Sequence, residues 1–264
     1  MGRVRILLVA ALSAYAIGCL DNRPPAPRRP KAFVDLSPTL NDTTVQRQYG
    51  RRATEFFGLT PRSEMTHVRP ENEWRTYGFT YFDLLSHGGA HVDSSARLLR
   101  DGAKPDEIPL EKLFGWARVI DLRWHDRNSP ITIADLETYK IKPGETVILY
   151  LGYEPPQTDD WPTYAYLSEP AARWLSGIGV RMVATDLPSL GSLRRTAELM
   201  DKQRPPEEIW SSHVPFFERD IPVIEGLVNI DQILGERRLY LSAFPVAVSD
   251  RSGAPVRAVA LLYD

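Results

Sequence analysis

Only one cysteine, Cys19, occurs in the 264 residues, so no internal disulfide can form. Stability must come from a packed core or from bound metal. No block of lysine or arginine interrupts the chain, and 32 basic against 34 acidic residues leave a formal charge of −2. Nothing therefore points to nucleic acid as a partner. No apolar run is long enough for a comfortable membrane span, which needs about 20 residues. No segment repeats, and there is no linker after residue 31. Histidine is scarce, at five residues, whereas proline is plentiful at 22, which favours many short elements over a helical bundle. Apolar side chains make up 43% of the chain, enough for one large core.

The N-terminus reads separately from the rest. Arg3 and Arg5 precede an apolar run from Ile6 to Gly18 that is broken only by Ser13. A basic start, a short hydrophobic stretch and small residues at its end describe a secretory signal peptide over residues 1–18. Cys19 closes the segment as in bacterial lipoproteins, where the cysteine becomes a lipidated N-terminus attached to the membrane. The expectation is an exported protein, periplasmic or at the cell surface. Residues 19–31, with Pro24, Pro25, Pro27 and Pro30, read as an extended tether. Residues 32–264 form the domain.

Within the domain, Ala32–Ser37 predicts a short strand ended by Pro38. Residues 41–73 are polar, arginine-rich and without clear period, which predicts a long loop with one or two weak helical turns. Thr76–Leu84 alternates Tyr77, Phe79 and Tyr81 with other residues, the pattern of a half-buried strand leading into His87. Further strands are expected at 118–122, 146–151, 180–185, 221–226, 239–248 and 256–262. Helices are expected at 132–140 behind Thr132, from Ser168 to near Gly177, at 192–202 and at 209–219. Residues 98–109 read as a loop, and 152–166, rich in proline and tyrosine, as a loop over a pocket. Irregular alternation of strands and helices predicts one α/β domain.

The chemistry concentrates at residues 87–97. His87, His91 and Asp93 offer two imidazoles and a carboxylate within seven residues, a donor set that suits zinc, manganese or iron. Gly88 and Gly89 favour a tight loop here over a helix. A solvated polar loop would read the same way. Downstream, His213 lies twelve residues before Glu225, which interrupts the apolar segment Val223-Ile224-Glu225-Gly226-Leu227-Val228. Burying that carboxylate is costly unless it is paired or metal-bound. An edge strand turning it to water, or an ion pair with arginine, would also account for it.

Taken together, these stretches resemble the cyclase-like metal hydrolases that include bacterial kynurenine formamidase and isatin hydrolase. The family's motif His-x-Gly-Thr-His-x-Asp-Ala-Pro-x-His is matched by His87, Gly89, His91 and Asp93. Its later histidine and Ile-Pro-Ile-x-Glu-(Gly/Asn)-Leu segment are matched by His213 and Ile221–Leu227. Val34–Ser37, Asp186–Ser189 and Ser252–Ala260 are similar to its opening strand, a turn and its closing hairpin. The resemblance covers about residues 33–262 and implies a mixed β-sheet or barrel core flanked by helices. It implies one or two divalent ions, zinc or manganese, the first held by His87, His91 and Asp93. A second would share Asp93 and add His213 and Glu225. It further implies hydrolysis of a C–N bond in a small amide, lactam or formamide, and a homo-oligomer.

One position departs from the pattern. The family's third histidine, its acid/base, falls on Arg97, and Ser94-Ser95 replaces Ala-Pro. Arginine stays protonated and cannot relay a proton. Three accounts compete. Arg97 binds an anionic substrate or stabilises an oxyanion; or Ser94, Ser95 or a residue of the 152–166 loop has taken over; or a metal-containing ligand-binding protein remains after loss of turnover. Loss of a general acid/base costs typically 10²–10⁴-fold, which slows a hydrolase without abolishing it. His67 and His125 read as surface or capping residues.

Overall fold

The computed structural model describes residues 29–41, 44–59, 84–156, 158, 160–249 and 252–264. The signal segment, Cys19, most of the tether, His67 and nearly all of the expected strand at 76–84 lie outside these residues. Among the described residues no helix is long and apolar enough to cross a membrane.

Ten strands are described: β1 Ala32–Asp35, β2 His91–Asp93, β3 Phe114–Asp121, β4 Pro130–Ile131, β5 Thr146–Tyr150, β6 Tyr166–Leu167, β7 Met182–Thr185, β8 Val223–Glu225, β9 Leu239–Pro245 and β10 Gly253–Leu262. The helices are α1 Thr44–Phe56, α2 Ile133–Glu137, α3 Glu169–Ile178, α4 Leu193–Asp201, α5 Pro206–Ile209 and α6 Val214–Phe217. β3, β5, β7 and β8 run parallel, the remaining neighbours are antiparallel, and β4 pairs with β6 apart from the main sheet. β9 pairs with β3 on one side and with β10 on the other, which closes the ring β10-β2-β8-β7-β5-β3-β9 into a mixed seven-stranded barrel. β2 and β1 share the free edge of β10, at Gly253–Pro255 and at Val259–Leu262. This is the α/β barrel core flanked by helices that the resemblance implies.

Two cores explain why several strands are apolar on both faces. Alternate side chains of a strand point to opposite sides. Ile148, Met182, Ala184 and Ile224 join Val92, Leu241 and Ala258 in one core. Their neighbours Val147, Leu149, Val183 and Val223 join the helical residues Leu136, Ala171, Leu175, Phe216 and Phe217 in a second. Side chains covered on both sides give the continuous apolar runs at 146–151 and 180–185.

The helices are where the sequence expectations need correcting. α1 occupies much of the stretch expected to be loop. Val45, Tyr49 and Ala53 recur every four residues and pack against Tyr164, Leu187 and Leu193. Gly50 sits inside that helix at φ 73° and ψ 162° and kinks it, which hid the period. The helix expected at 209–219 is instead two single turns, α5 and α6, with His213 at the start of the second. α3 begins where Ser168 Oγ accepts the Ala171 N–H and ends on Gly179 at φ 81°. Residues 98–109 contain a single turn of 3₁₀-helix at Pro105–Glu107. The 152–166 segment, with Tyr153 and Tyr164, lines a cavity of about 170 Å³ that none of the five candidate donors touches.

Asp186, just past β7, is buried and accepts the backbone N–H groups of Leu151 and Tyr153 at 3.0 and 2.7 Å. Burial nonetheless pushes its carboxyl up to about 6, from an ordinary 3.8. Between those values the folded chain keeps a proton that the unfolded chain releases. Stability therefore falls as pH rises through this window, by up to about 3 kcal/mol. Asp186→Asn cannot titrate, so urea melts from about pH 4 to pH 7 should show a flatter slope than the wild type. An unchanged slope would show that Asp186 titrates like an exposed aspartate.

Candidate metal centre

The pleat builds this site. β2 pairs with β8 so that His91 faces Glu225, Val92 faces Ile224 and Asp93 faces Val223. Val92 and Ile224 point into the barrel core, so His91, Asp93 and Glu225 lie on the opposite face. The turn before α6 delivers His213 to that face, anchored by Phe216 and Phe217 in the second core. His87 arrives from the loop ahead of β2. Two contacts from α1 hold that loop: Tyr49 OH donates to the His87 carbonyl at 2.8 Å, and the Gly89 N–H donates to Gln48 Oε1 at 2.7 Å. All five donors named from the sequence meet in one cluster.

His87, His91 and Asp93 form one triplet of donors within 4.8 Å of one another, and Asp93, His213 and Glu225 form a second. His91 and Asp93 are fully buried, and His213 and Glu225 nearly so. An edge strand turning Glu225 to water is thereby excluded. His91 Nδ1 lies 2.9 Å from the Gly89 carbonyl, so it donates there in the tautomer that turns the Nε2 lone pair into the cluster. That Nε2 lies 3.5 Å from both Asp93 Oδ1 and Glu225 Oε2. His87 Nδ1 lies 2.8 Å from Asp93 Oδ1. Yet neither His91 Nε2 nor Asp93 Oδ1 has a hydrogen-bond partner among the described residues. Buried acceptors that converge without a donor are costly as they stand. A divalent cation would satisfy them together, so the donor set fits a metal.

The electrostatics agree. Burial would raise Asp93, but the Arg97 charge and the imidazoles of His87 and His91 hold its carboxyl well below the usual carboxylate range. Burial and the Asp93 charge would raise Glu225 too, and the His213 contact at 3.0 Å together with the nearby His91 imidazole leaves it lowered. Burial, then the Arg97 charge, lowers His87 and keeps its imidazole neutral. Burial also opposes charge on His91, but Glu225 and Asp93 outweigh it and raise its pKa. A proton and a metal ion would thus compete for His91, and metal uptake would release protons.

Arg97 lies against the same cluster. Its Nη1 donates to Asp93 Oδ2 at 2.5 Å and lies 3.2 Å from His87 Nδ1, and its guanidinium stacks 4.3 Å from the centre of the Trp210 ring. Trp210 carries no signal of this role in the sequence. The alternative acid/base candidates have structural ties instead. Ser95 Oγ donates to Asp220 Oδ1 and accepts the Ala103 N–H. The Tyr153 and Tyr164 hydroxyls donate to the carbonyls of Gln48 and Gly191, and burial raises both pKa values. His125 contacts Ser129 and Asp135, and it is Asp135, not His125, that caps the start of α2 by accepting the Thr132 N–H.

The sequence model of the Cyclase family matches residues 34–192, more than half of the chain. The chain belongs to the Cyclase family. Among its relatives is the kynurenine formamidase of Bacillus mycoides (strain KBAB4), 27% identical over 227 residues, covering 86% of this chain and 96% of the relative. The kynurenine formamidase of Geobacillus thermodenitrificans (strain NG80-2) is 29% identical over 175 residues, 66% of this chain and 76% of its own. The same fold appears in isatin hydrolase A from Labrenzia aggregata bound to benzyl benzoate, with a TM-score of 0.69 at 18% identity over 88% of this chain and 94% of that one. A structure described as a potential metal-dependent hydrolase with cyclase activity gives a TM-score of 0.62 at 20% identity, over 88% and 98%. The family match covers the first donor triplet and ends before His213 and Glu225. This Cyclase-family chain completes its cluster beyond that boundary.

Proposed function

We propose that this chain is a metal-dependent hydrolase that cleaves a C–N bond, in an amide, lactam or formamide, of a small substrate. One or two zinc or manganese ions would be held by His87, His91, Asp93, His213 and Glu225. The observation that carries the reading is the pair of buried acceptors, His91 Nε2 and Asp93 Oδ1, 3.5 Å apart and without a hydrogen-bond partner among the described residues. Relatives named kynurenine formamidase support the bond type. A divalent cation in such a set lowers the pKa of a bound water toward about 7 and polarises a carbonyl oxygen.

The chain's own residues supply the rest. Within the cluster and its arginine, the His87 and Arg97 side chains are the exposed ones, at 16% and 18%, against 2% or less for the other donors. Substrate therefore reaches the cluster over these two residues. Trp210 fixes the plane of the Arg97 guanidinium. With Nη1 on Asp93, its remaining N–H groups are available to an anionic substrate or to negative charge developing on a carbonyl oxygen.

Stripping the full chain with a chelator should abolish hydrolysis of N-formyl aromatic amines, lactams or cyclic imides, and reloading zinc or manganese should restore it. Metal bound without hydrolysis of any of these substrates would overturn the reading in favour of a ligand-binding protein of the same fold.

A further inference from the structure

The two donor triplets are unequal in what already occupies them. In the first, His91 Nε2 and Asp93 Oδ1 lack partners, and the Gly89 carbonyl holds the His91 ring from behind at 2.9 Å. In the second, the corresponding atoms are taken. Asp93 Oδ2 accepts Arg97 Nη1 at 2.5 Å, and Glu225 Oε1 accepts the Leu190 N–H at 2.7 Å and lies 3.0 Å from His213 Nε2. His213 Nδ1, which a ligating histidine normally anchors on an acceptor, has no partner among the described residues. Of the first triplet only His87 Nδ1 is engaged, at 3.2 Å from Arg97 Nη1, which leaves two atoms open to a cation where the second triplet has its carboxylate oxygens taken.

Arg97 makes this asymmetry lasting. An arginine guanidinium is a permanent cation, and this one is held by Asp93 Oδ2 and His87 Nδ1 on one side and by the Trp210 face at 4.3 Å on the other. A second dication sharing Asp93 would have to bind through the oxygen Arg97 already holds and sit within a few ångströms of its charge. Buried like charges at such a distance repel strongly. With two ions, Arg97 and two carboxylates the cluster would carry three excess positive charges; with one ion the excess is one.

Resting on the hydrolase reading above, we infer that Arg97 is the second cation of this centre, so that the chain holds a single divalent ion at His87, His91 and Asp93. Arg97 is then a positioning residue that fixes Asp93 from the side where a second metal would lie.

The test is stoichiometry, read independently of turnover. The full chain is stripped with a chelator, loaded with excess zinc and desalted, and zinc per chain is measured by plasma mass spectrometry. The expected result is one zinc in the wild type and two in Arg97→Met, which removes the charge but keeps an apolar stem against Trp210. His213→Ala in the wild-type background should still hold one, which keeps the inference testable if Arg97→Met does not fold. Two zincs in the wild type, one in a folded Arg97→Met, or none in a folded His213→Ala would overturn the inference while leaving the metal reading intact. No zinc in the wild type would overturn both.

Discussion

Asp93→Ala should lose its metal and its hydrolytic activity together, while the fold survives. Asp93 is the one donor common to both triplets. Its Oδ1 faces His87 and His91, and its Oδ2 faces Arg97 and His213. Replacing groups that merely support a metal ligand costs about 10- to 100-fold in affinity. Removal of a shared ligand should exceed that range. The backbone register is unaffected, because Asp93 still pairs with Val223 and with Gly253. Arg97 loses its buried partner, but its side chain is 18% exposed and can turn to solvent, which limits the stability cost. Competition titration against a chromogenic chelator, with circular dichroism as the control for folding, checks this outcome. Retained tight binding in a folded variant would remove Asp93 from the centre.

Gly226→Ala should destabilise the whole chain and loosen the metal loop, although residue 226 donates nothing to the site. Its φ of 74° lies in the left-handed region, which costs a side-chain-bearing residue roughly 1–2 kcal/mol. A Cβ there would also press on the Gly89 carbonyl oxygen and lie 2.6 Å from Gln48 Nε2. These are the backbone that holds His91 Nδ1 and the side chain that holds the Gly89 amide. Relief requires moving the loop between His87 and His91. Strain plus overpacking should total about 3 kcal/mol or more. Urea denaturation checks the loss of stability, and the same chelator competition checks the accompanying loss of affinity. Wild-type stability would mean that the loop yields freely and does not position His91.

The sequence carried the donors but not their geometry. Two-sided burial made β5 and β7 legible as apolar runs, and Ser168 marked the start of α3, which runs to Ile178, just past the Gly177 expected. α1 was foreseen only as one or two weak helical turns because Gly50 interrupts its four-residue period, and its contacts to His87 and Gly89 left no signal. The length of the helix around His213 was overestimated, because the apolar residues after it serve one single turn, α6, whose Phe216 and Phe217 pack on the second core. Glu225 was ambiguous from sequence because a carboxylate in an apolar strand reads alike as edge, ion pair or ligand. The pairing of His91 with Glu225 puts the carboxylate inside the buried cluster and excludes the exposed edge, and a pairing between segments more than a hundred residues apart leaves no local signal. Arg97 was visible as a departure from the family motif. Its place on Asp93 and Trp210 was not.

A divalent cation held by His87, His91 and Asp93 carries the proposed chemistry. Anomalous diffraction from crystals of the full chain grown with zinc or manganese, recorded on both sides of the metal edge, tests it most directly. The prediction is an anomalous peak among His87 Nδ1, His91 Nε2 and Asp93 Oδ1, at about 2.0–2.2 Å from each if the metal is zinc. A map with no peak at these atoms under saturating metal would contradict the account.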